Sequence, residues 1–502
     1  FKLILLRASS TSTKHVPSMS REMDIEGVGP TTSLLLHRKR GCRRNILVFT
    51  GVGILFGGAT AGIVLSLKNK KAGLSFTCPK YVAENATNVA GCQFGDSTCT
   101  VSCKPGFYSG LPLHSVCDGS NWTPFPDCRL PEWSLTFGAI GDWGTSIPHD
   151  SSTRDDPPNT ATWNKDYNSQ EFIGYLMGEW AAEAKPHFII GHGDSFYWNG
   201  INSNHDENWN RTFEKRYPHP DLHVPWYNVM GNHDYGGGGN IHGGAEKLLK
   251  LFENQRTYRS PNNDRWKLED FYYTAMHHSS DHSHPTFSVE VFNVDTNAAP
   301  NHGYNEICCQ CYGYAGKGCN DTACRGEHDY QGGCAPVDQV QSCRDFLTEK
   351  HESSVEKLAI GLKASTADWK IVNTHYHPLM HFSEPQKIKF VRALEEGGAH
   401  LLMCGHTHGE GHEYRQGVHY LLNGAGGGIR KAGAFGDLWG AASYAWVGVR
   451  VSKEVLELKF YGFGDGWGNF DGKTKGTAKV LHCWRVDRHG GLGEACPETA
   501  MQ

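Results

Sequence analysis

The fold class this sequence predicts is α/β, a layered sheet with helices outside, preceded by a small disulfide-rich β module and a single transmembrane helix. Three observations predict it. From Pro131 onward short apolar runs alternate with stretches of helical length, six cysteines fall between residues 76 and 130, and the 22 residues Ile46–Leu67 carry no charge. Alternation of that kind builds layered α/β domains. A module of about fifty residues buries too little apolar surface to hold without staples. An uncharged run of this length is enough to span a bilayer as a helix. The full 502 residues exceed one ordinary core, so several domains are expected.

In chain order, residues 1–45 contain Ser, Thr and Arg without periodicity and are expected to be disordered and cytoplasmic. The first residue is Phe1, so the start is expected to be incomplete or to include translated non-coding sequence, with Met19 and Met23 both open as starts. Residues 46–67 follow as the membrane span. Arg38, Lys39, Arg40, Arg43 and Arg44 precede it, against Lys68, Lys70 and Lys71 after it, and this excess places the N-terminal side in the cytoplasm. The protein is then single-pass type II, with everything after the span extracellular or lumenal. Of 17 cysteines only Cys42 precedes the span, as suits an oxidising compartment beyond it. The acceptor sequences at Asn85, Asn121, Asn210 and Asn320 all follow the span too. Residues 68–75 form a stalk. A net charge of -5 excludes the basic surface that a nucleic-acid partner requires.

Residues 76–130 hold Cys78, Cys92, Cys99, Cys103, Cys117 and Cys128. Val101-Ser102-Cys103-Lys104-Pro105-Gly106-Phe107, followed by Cys117, Trp122 and Cys128, resembles a sushi (complement control protein) module. That resemblance implies Cys78–Cys117 and Cys103–Cys128 bridges around a buried Trp122, and a glycan or protein ligand. Cys92 and Cys99 depart from its four-cysteine pattern and would form an extra local bridge. Sequence alone leaves connectivity open.

Residues 131–502 form the last and largest domain. Leu135–Ile140, Phe188–Ile190, Val224–Met230, Lys370–Val372 and His400–Met403 have the character of strands. Gln170–Lys185, Ala245–Asn254, Cys343–Lys363 and Pro385–Glu396 have helical length and spacing. Each of the five strands ends in a polar turn. In order these are Gly141-Asp142-Trp143-Gly144, Gly193-Asp194-Ser195-Phe196-Tyr197, Gly231-Asn232-His233-Asp234, Val372-Asn373-Thr374-His375 and Gly405-His406-Thr407-His408. Ligands of such sheets gather at the carboxyl ends of the strands, where Asp, Asn and His in this number point to a dinuclear metal site.

The ordered set resembles the purple acid phosphatases, and closely the small tartrate-resistant type, across most of residues 133–470. Arg265-Trp266, Phe271-Tyr272 and Phe292-Asn293-Val294-Asp295-Thr296 match that family's intermediate strands. The resemblance implies a layered metallophosphoesterase sandwich and two metals. Asp142, Asp194, Tyr197 and His408 would hold Fe(III). Asp194, bridging, with Asn232, His375 and His406 would hold a second divalent metal (Fe, Zn or Mn). Carboxylate and phenolate oxygens suit Fe(III), and imidazole with an amide oxygen suits a divalent ion. The resemblance also makes His233 a phosphate-orienting and leaving-group acid. His381 is the second such candidate, at a spacing shorter than the family's, and His377 competes with it.

Residues 300–345 carry seven cysteines in a glycine-rich insertion, expected to form disulfides in an oxidising setting. An odd number requires one to pair elsewhere, with Cys483 or Cys496, or to stay free. Cys404, inside an apolar strand, is expected to be a buried thiol. His277, His278, His282 and His284 are expected in a solvated loop between strands. The expected function is a membrane-anchored acid phosphatase acting on phosphate monoesters. The alternatives are a phosphodiesterase or pyrophosphatase on the same scaffold, or a sushi-mediated adhesion protein with a degenerate phosphatase domain.

Overall fold

The computed structural model describes residues 78–497, apart from 81–84, 91–95, 109–113, 124–127, 145–162, 237–242, 280–285, 310–336, 432–435, 463–476 and several stretches of one or two residues. The segments expected at 1–45, 46–67 and 68–75 lie outside the described residues. Among the described residues, no helix is long and apolar enough to cross a membrane.

The cysteine-rich region forms an antiparallel sheet of β1 (Ala86–Ala90), β2 (Thr98–Cys103), β3 (His114–Cys117) and β4 (Trp122–Thr123). Cys78–Cys117 and Cys103–Cys128 are both bonded, and Trp122 packs among Cys78, Cys117 and Cys128. Cys99 is also disulfide-bonded, while its expected partner Cys92 lies outside the described residues. The Tyr108 hydroxyl donates to Glu494 Oε1 at 2.9 Å, and Arg129 pairs with Glu454 at 3.2 Å. These contacts seat the module on the C-terminal strands. Partly exposed pairs of this kind contribute at most about 1 kcal/mol each.

The remaining chain continues with β5 (Leu135–Ile140), β6 (Trp163–Asp166), α1 (Ser169–Ala184), β7 (Phe188–Gly191) and β8 (Trp226–Asn228). Next come α2 (Gly244–Arg256), β9 (Trp266–Lys267), β10 (Tyr272–His278), β11 (Ser288–Val294), α3 (Tyr304–Cys309) and α4 (Val337–Ala364). Then follow β12 (Trp369–Thr374), α5 (Pro378–His381), α6 (Glu384–Gly397), β13 (Leu401–Cys404), β14 (Glu410–Arg415) and β15 (Val418–Asn423). The chain closes with β16 (Gly428–Lys431), β17 (Trp439–Ala441), β18 (Ala445–Val451), β19 (Val455–Gly462), β20 (Lys479–Asp487) and β21 (Glu494–Ala495).

Two large sheets result, one ordered β21-β20-β19-β18-β5-β7-β8-β9 and the other β10-β11-β12-β13-β15-β14-β17. Strands β5, β7, β8 and β9 run parallel, as do β11, β12, β13 and β15. Side chains alternate across each strand. Phe188 and Ile190 on β7 therefore face inward with Ile371, Met403 and Leu421 of the other sheet, forming the core between the sheets. Ile189 faces the opposite way, toward α1 and an aromatic cluster around Trp143, Phe213 and Trp226. Val372, Leu402 and Leu422 face α4 and α6. The architecture is thus a helix–sheet–sheet–helix sandwich, a mixed α/β fold with disulfides in its N-terminal region.

Two sequence expectations need correcting. Cys483 pairs with Cys496, so neither takes the odd cysteine of the insertion. Their bond crosses the β20–β21 pair, whose register sets Trp484 opposite Ala495. His277 and His278 belong to strand β10, opposite Val289 and Ser288 of β11. His277 stacks on Phe188 at 4.1 Å, and its Nε2 lies 3.1 Å from the Tyr227 hydroxyl. Cys308–Cys343 ties α3 to α4, residues 310–336 lie outside the described residues, and Cys404 is a buried free thiol as expected.

Candidate metal centre

All five polar turns leave the carboxyl ends of parallel strands, three from one sheet (β5, β7, β8) and two from the other (β12, β13). The two sheets thereby converge their loops on one point. Close approach requires glycine. A Cβ on Gly231 would sit 2.2 Å from Asp194 Oδ1, and one on Gly405 would sit 2.2 Å from Asp142 Oδ2. Asp142, Asp194 and His406 have φ of 53°, 51° and 68°. Left-handed backbone costs a non-glycine residue on the order of 1 kcal/mol, and it persists where surroundings over-determine it.

Every candidate ligand predicted from the sequence lies in this cluster. Tyr197 donates its hydroxyl toward Asp142 Oδ1 at 3.2 Å and lies 3.0 Å from His408 Nε2. Asn232 Oδ1 lies 3.1 Å from His375 Nε2 and 3.0 Å from His406 Nδ1. Asp194 belongs to both halves. Its ligand atoms group within 4.8 Å of His375 and His406, and equally of Asp142 and His408.

The donor set fits two cations sharing Asp194. The Asp194 Oδ2 atom is buried with no hydrogen-bond partner among the described residues, an environment that suits a carboxylate oxygen facing a cation. His375 Nδ1 sits 2.7 Å from the His192 carbonyl oxygen, so it carries the proton and leaves Nε2 as a lone pair. That lone pair faces the Asn232 oxygen, and two acceptors converge there. Burial pushes the Asp142 carboxyl up to about 7 and that of Asp194 up to about 6. The same cause holds His375 below the ordinary imidazole value. Carboxyls this costly to ionise become stable anions beside metal ions.

His233 donates its backbone N–H to Asp194 Oδ1 at 2.8 Å, and its ring lies 4.4 Å from that of Tyr197. His381, at the end of α5, packs its ring edge-on to His406 at 4.8 Å. His377 instead packs against Tyr420 of β15, at 5.6 Å. The geometry therefore brings His381 to the cluster.

Sequence reasoning assigned no role to Asp234, although it stands in the quoted Gly231-Asn232-His233-Asp234 turn. It is fully buried. Its carboxylate accepts the N–H groups of Gly231 at 2.8 Å, Ser195 at 3.1 Å and Phe196 at 3.1 Å, and the amide of Gln255 at 3.2 Å. Burial, then the neighbouring Asp194, pushes its carboxyl up to about 7. Glu410, two residues after His408, was also missed. It is buried and accepts from Asn423 at 2.8 Å and from the Ala425 N–H at 3.2 Å.

The profile of calcineurin-like phosphoesterases matches residues 135–410, which spans all five turns. The chain belongs to that family. Among its relatives is Purple acid phosphatase 17 of Arabidopsis thaliana, 26% identical over 345 residues, covering 66% of this chain and 76% of the relative. Tartrate-resistant acid phosphatase type 5 of Homo sapiens is 26% identical over 325 residues, covering 63% of this chain and 77% of the relative. Among solved structures, the chain is similar to a purple acid phosphatase from yellow lupin (Lupinus luteus) seeds. The identity is 12%, the coverage 78% of this chain and 59% of that one, and the TM-score 0.39. This calcineurin-like phosphoesterase is an enzyme, of the purple acid phosphatase-like, dimetal kind.

Proposed function

We propose that this phosphoesterase hydrolyses phosphate monoesters with an acid optimum, at a centre of Fe(III) and a divalent ion such as Fe, Zn or Mn. The observation that carries the reading is Tyr197, whose phenol oxygen lies within 3.2 Å of Asp142 Oδ1 and 3.0 Å of His408 Nε2. A phenol among a carboxylate and an imidazole suits a strongly Lewis-acidic cation. In this assignment Asp142, Asp194, Tyr197 and His408 would hold Fe(III). Asp194, Asn232, His375 and His406 would hold the divalent ion. When bound, the pair supplies Lewis-acid stabilisation and an activated water for attack on phosphorus. The chain's own groups do the rest. His233 orients the phosphate from the Tyr197 side, and His381 stands beside His406 to protonate the leaving alcohol. Imidazole, with an ordinary pKa near 6.5, carries that proton under mildly acidic conditions. The names of the relatives support the same reading.

The test is metal analysis joined to turnover of p-nitrophenyl phosphate and bis-p-nitrophenyl phosphate. Two metals per chain including iron, with the monoester preferred, is the expected result. A preference for the diester would move the enzyme to the phosphodiesterase reading.

We further propose that residues 76–130 are a sushi module with a glycan or protein ligand, and that residues 131–502 are the catalytic domain. The Cys78–Cys117 and Cys103–Cys128 bonds around buried Trp122 support the first. The charge bias around 46–67 supports a type II anchor with both domains outside the cytosol. Protease added to intact cells should then remove a C-terminal epitope, and its protection on surface-delivered protein would contradict that orientation.

A further inference from the structure

We propose that Thr407 is a positioning residue for His381, fixing the ring of the leaving-group histidine to the turn that carries two candidate metal ligands. The inference rests on the role given to His381 above. Thr407 stands between His406 and His408, and its backbone has little freedom. Its N–H donates to the Gly405 carbonyl at 2.8 Å, and its own carbonyl accepts from Gly409 at 2.6 Å. Only glycine fits at position 424, where a Cβ would come within 2.5 Å of the Thr407 carbonyl oxygen. The Thr407 side chain is buried, as is His381, and its Oγ1 lies 3.1 Å from His381 Nε2.

His381 is also held by its own backbone and by two neighbouring rings. Its backbone N–H closes one turn onto the His377 carbonyl at 3.0 Å. Its ring meets His406 edge-on at 4.8 Å and Tyr376 at 5.6 Å. Ring contacts fix the plane of an imidazole but not which nitrogen occupies which edge, because the ring can turn over about its Cβ–Cγ bond. A hydrogen bond to one nitrogen does fix it. A threonine hydroxyl is suited to this place, being both donor and acceptor. It can therefore keep the nitrogen whether or not that nitrogen carries a proton. The ligand turn and the histidine are thereby one mechanical unit, and the hydroxyl joins them.

The test compares Thr407→Val, Thr407→Ser and His381→Ala in the metal-loaded full-length enzyme, using phenyl phosphate and p-nitrophenyl phosphate, with metal content measured for each. Valine keeps the volume and the β-branch and removes only the hydroxyl. Thr407→Val is expected to lower kcat on phenyl phosphate on the order of tenfold, with KM and metal content little changed. The loss should be smaller on p-nitrophenyl phosphate, whose leaving group needs less protonation. Thr407→Ser should restore kcat to within about twofold, since it returns the hydroxyl. In the His381→Ala background, Thr407→Val should have no further effect. Full kcat in Thr407→Val beside an impaired His381→Ala would overturn the positioning role while leaving the reading of His381 intact. Loss of metal in Thr407→Val would overturn it in favour of a role in the ligand turn. An unimpaired His381→Ala would overturn both together.

Discussion

Replacing Asp234 with Asn removes one charge and exchanges one acceptor for a donor, in a side chain that binds two ligand turns together. In the wild type, Oδ1 accepts from Ser195, Phe196 and Gln255, and Oδ2 accepts from Gly231 at 2.8 Å and Ser195 at 3.2 Å. An asparagine that keeps its oxygen at the Oδ1 position sets its NH2 against the Gly231 N–H. That buried donor then goes unpaired, at about 1–3 kcal/mol. The bonds that remain are no longer to a potential carboxylate and weaken as well. About 3 kcal/mol is a reasonable sum, equal to roughly a hundredfold in any equilibrium that needs both turns in register. The metal-free protein should feel less of this, because burial and Asp194 already push the Asp234 carboxyl up to about 7. The assay is metal titration of apoprotein beside thermal unfolding with and without metal. The expected outcome is metal affinity weakened by about two orders of magnitude and a smaller change in apoprotein stability. Unchanged metal affinity in a folded variant would refute the assigned role of Asp234.

Two other perturbations follow from groups remote from the cluster. His482 Nε2 lies 2.9 Å from His412 Nδ1, and His412 Nε2 lies 2.9 Å from His419 Nδ1, a chain of imidazoles linking β20 to β14 and β15. Burial pushes His482 and His419 down to about 4 and His412 well below 6.5. An unfolded imidazole takes its proton near 6.5, so this stabilisation is complete above about that pH and is lost as pH falls toward about 4. His412→Phe should flatten the fall in Tm between neutral and acidic pH, and an unchanged slope would show that the chain does not govern it. Removing the Cys308–Cys343 bond, with a sequence separation of 35, by a double Ser substitution should cost about 4 kcal/mol from the loop-closure relation. A urea midpoint that barely moves would show that other contacts already hold α3 to α4.

The parallel strands were legible because both their faces are buried, which makes Phe188–Ile190 and Leu401–Cys404 unbroken apolar runs. The turns after them were legible because glycine marks each close approach and polar ligands stand beside it. Helix α4 begins at Val337 rather than near Cys343 because buried Val340 extends the stripe of Cys343 and Leu347 back through polar Asp338, Gln339, Gln341 and Ser342. Strand β14, Glu410–Arg415, is polar in composition, and tertiary packing against β15 and β17 makes it a strand. Histidines at 277 and 278 looked solvated by composition, yet pairing to β11 and stacking on Phe188 hold them in a sheet. Asp234 and Thr407 bond to atoms that no spacing rule brings near, Asp234 to backbone N–H groups 38 and 39 residues away and Thr407 to a histidine 26 residues away.

The central claim, a phenol-bearing Fe(III)–M(II) centre, is tested most directly by the visible spectrum of Tyr197→Phe beside the wild type, with iron quantified in both. A free phenol ionises near 10, so under acidic conditions only a strongly polarising cation holds it as phenolate. The account predicts a coloured wild type and a bleached variant that still folds and carries iron. A colourless, active, fully metallated and iron-free wild type would contradict it and leave a phosphoesterase with two divalent ions.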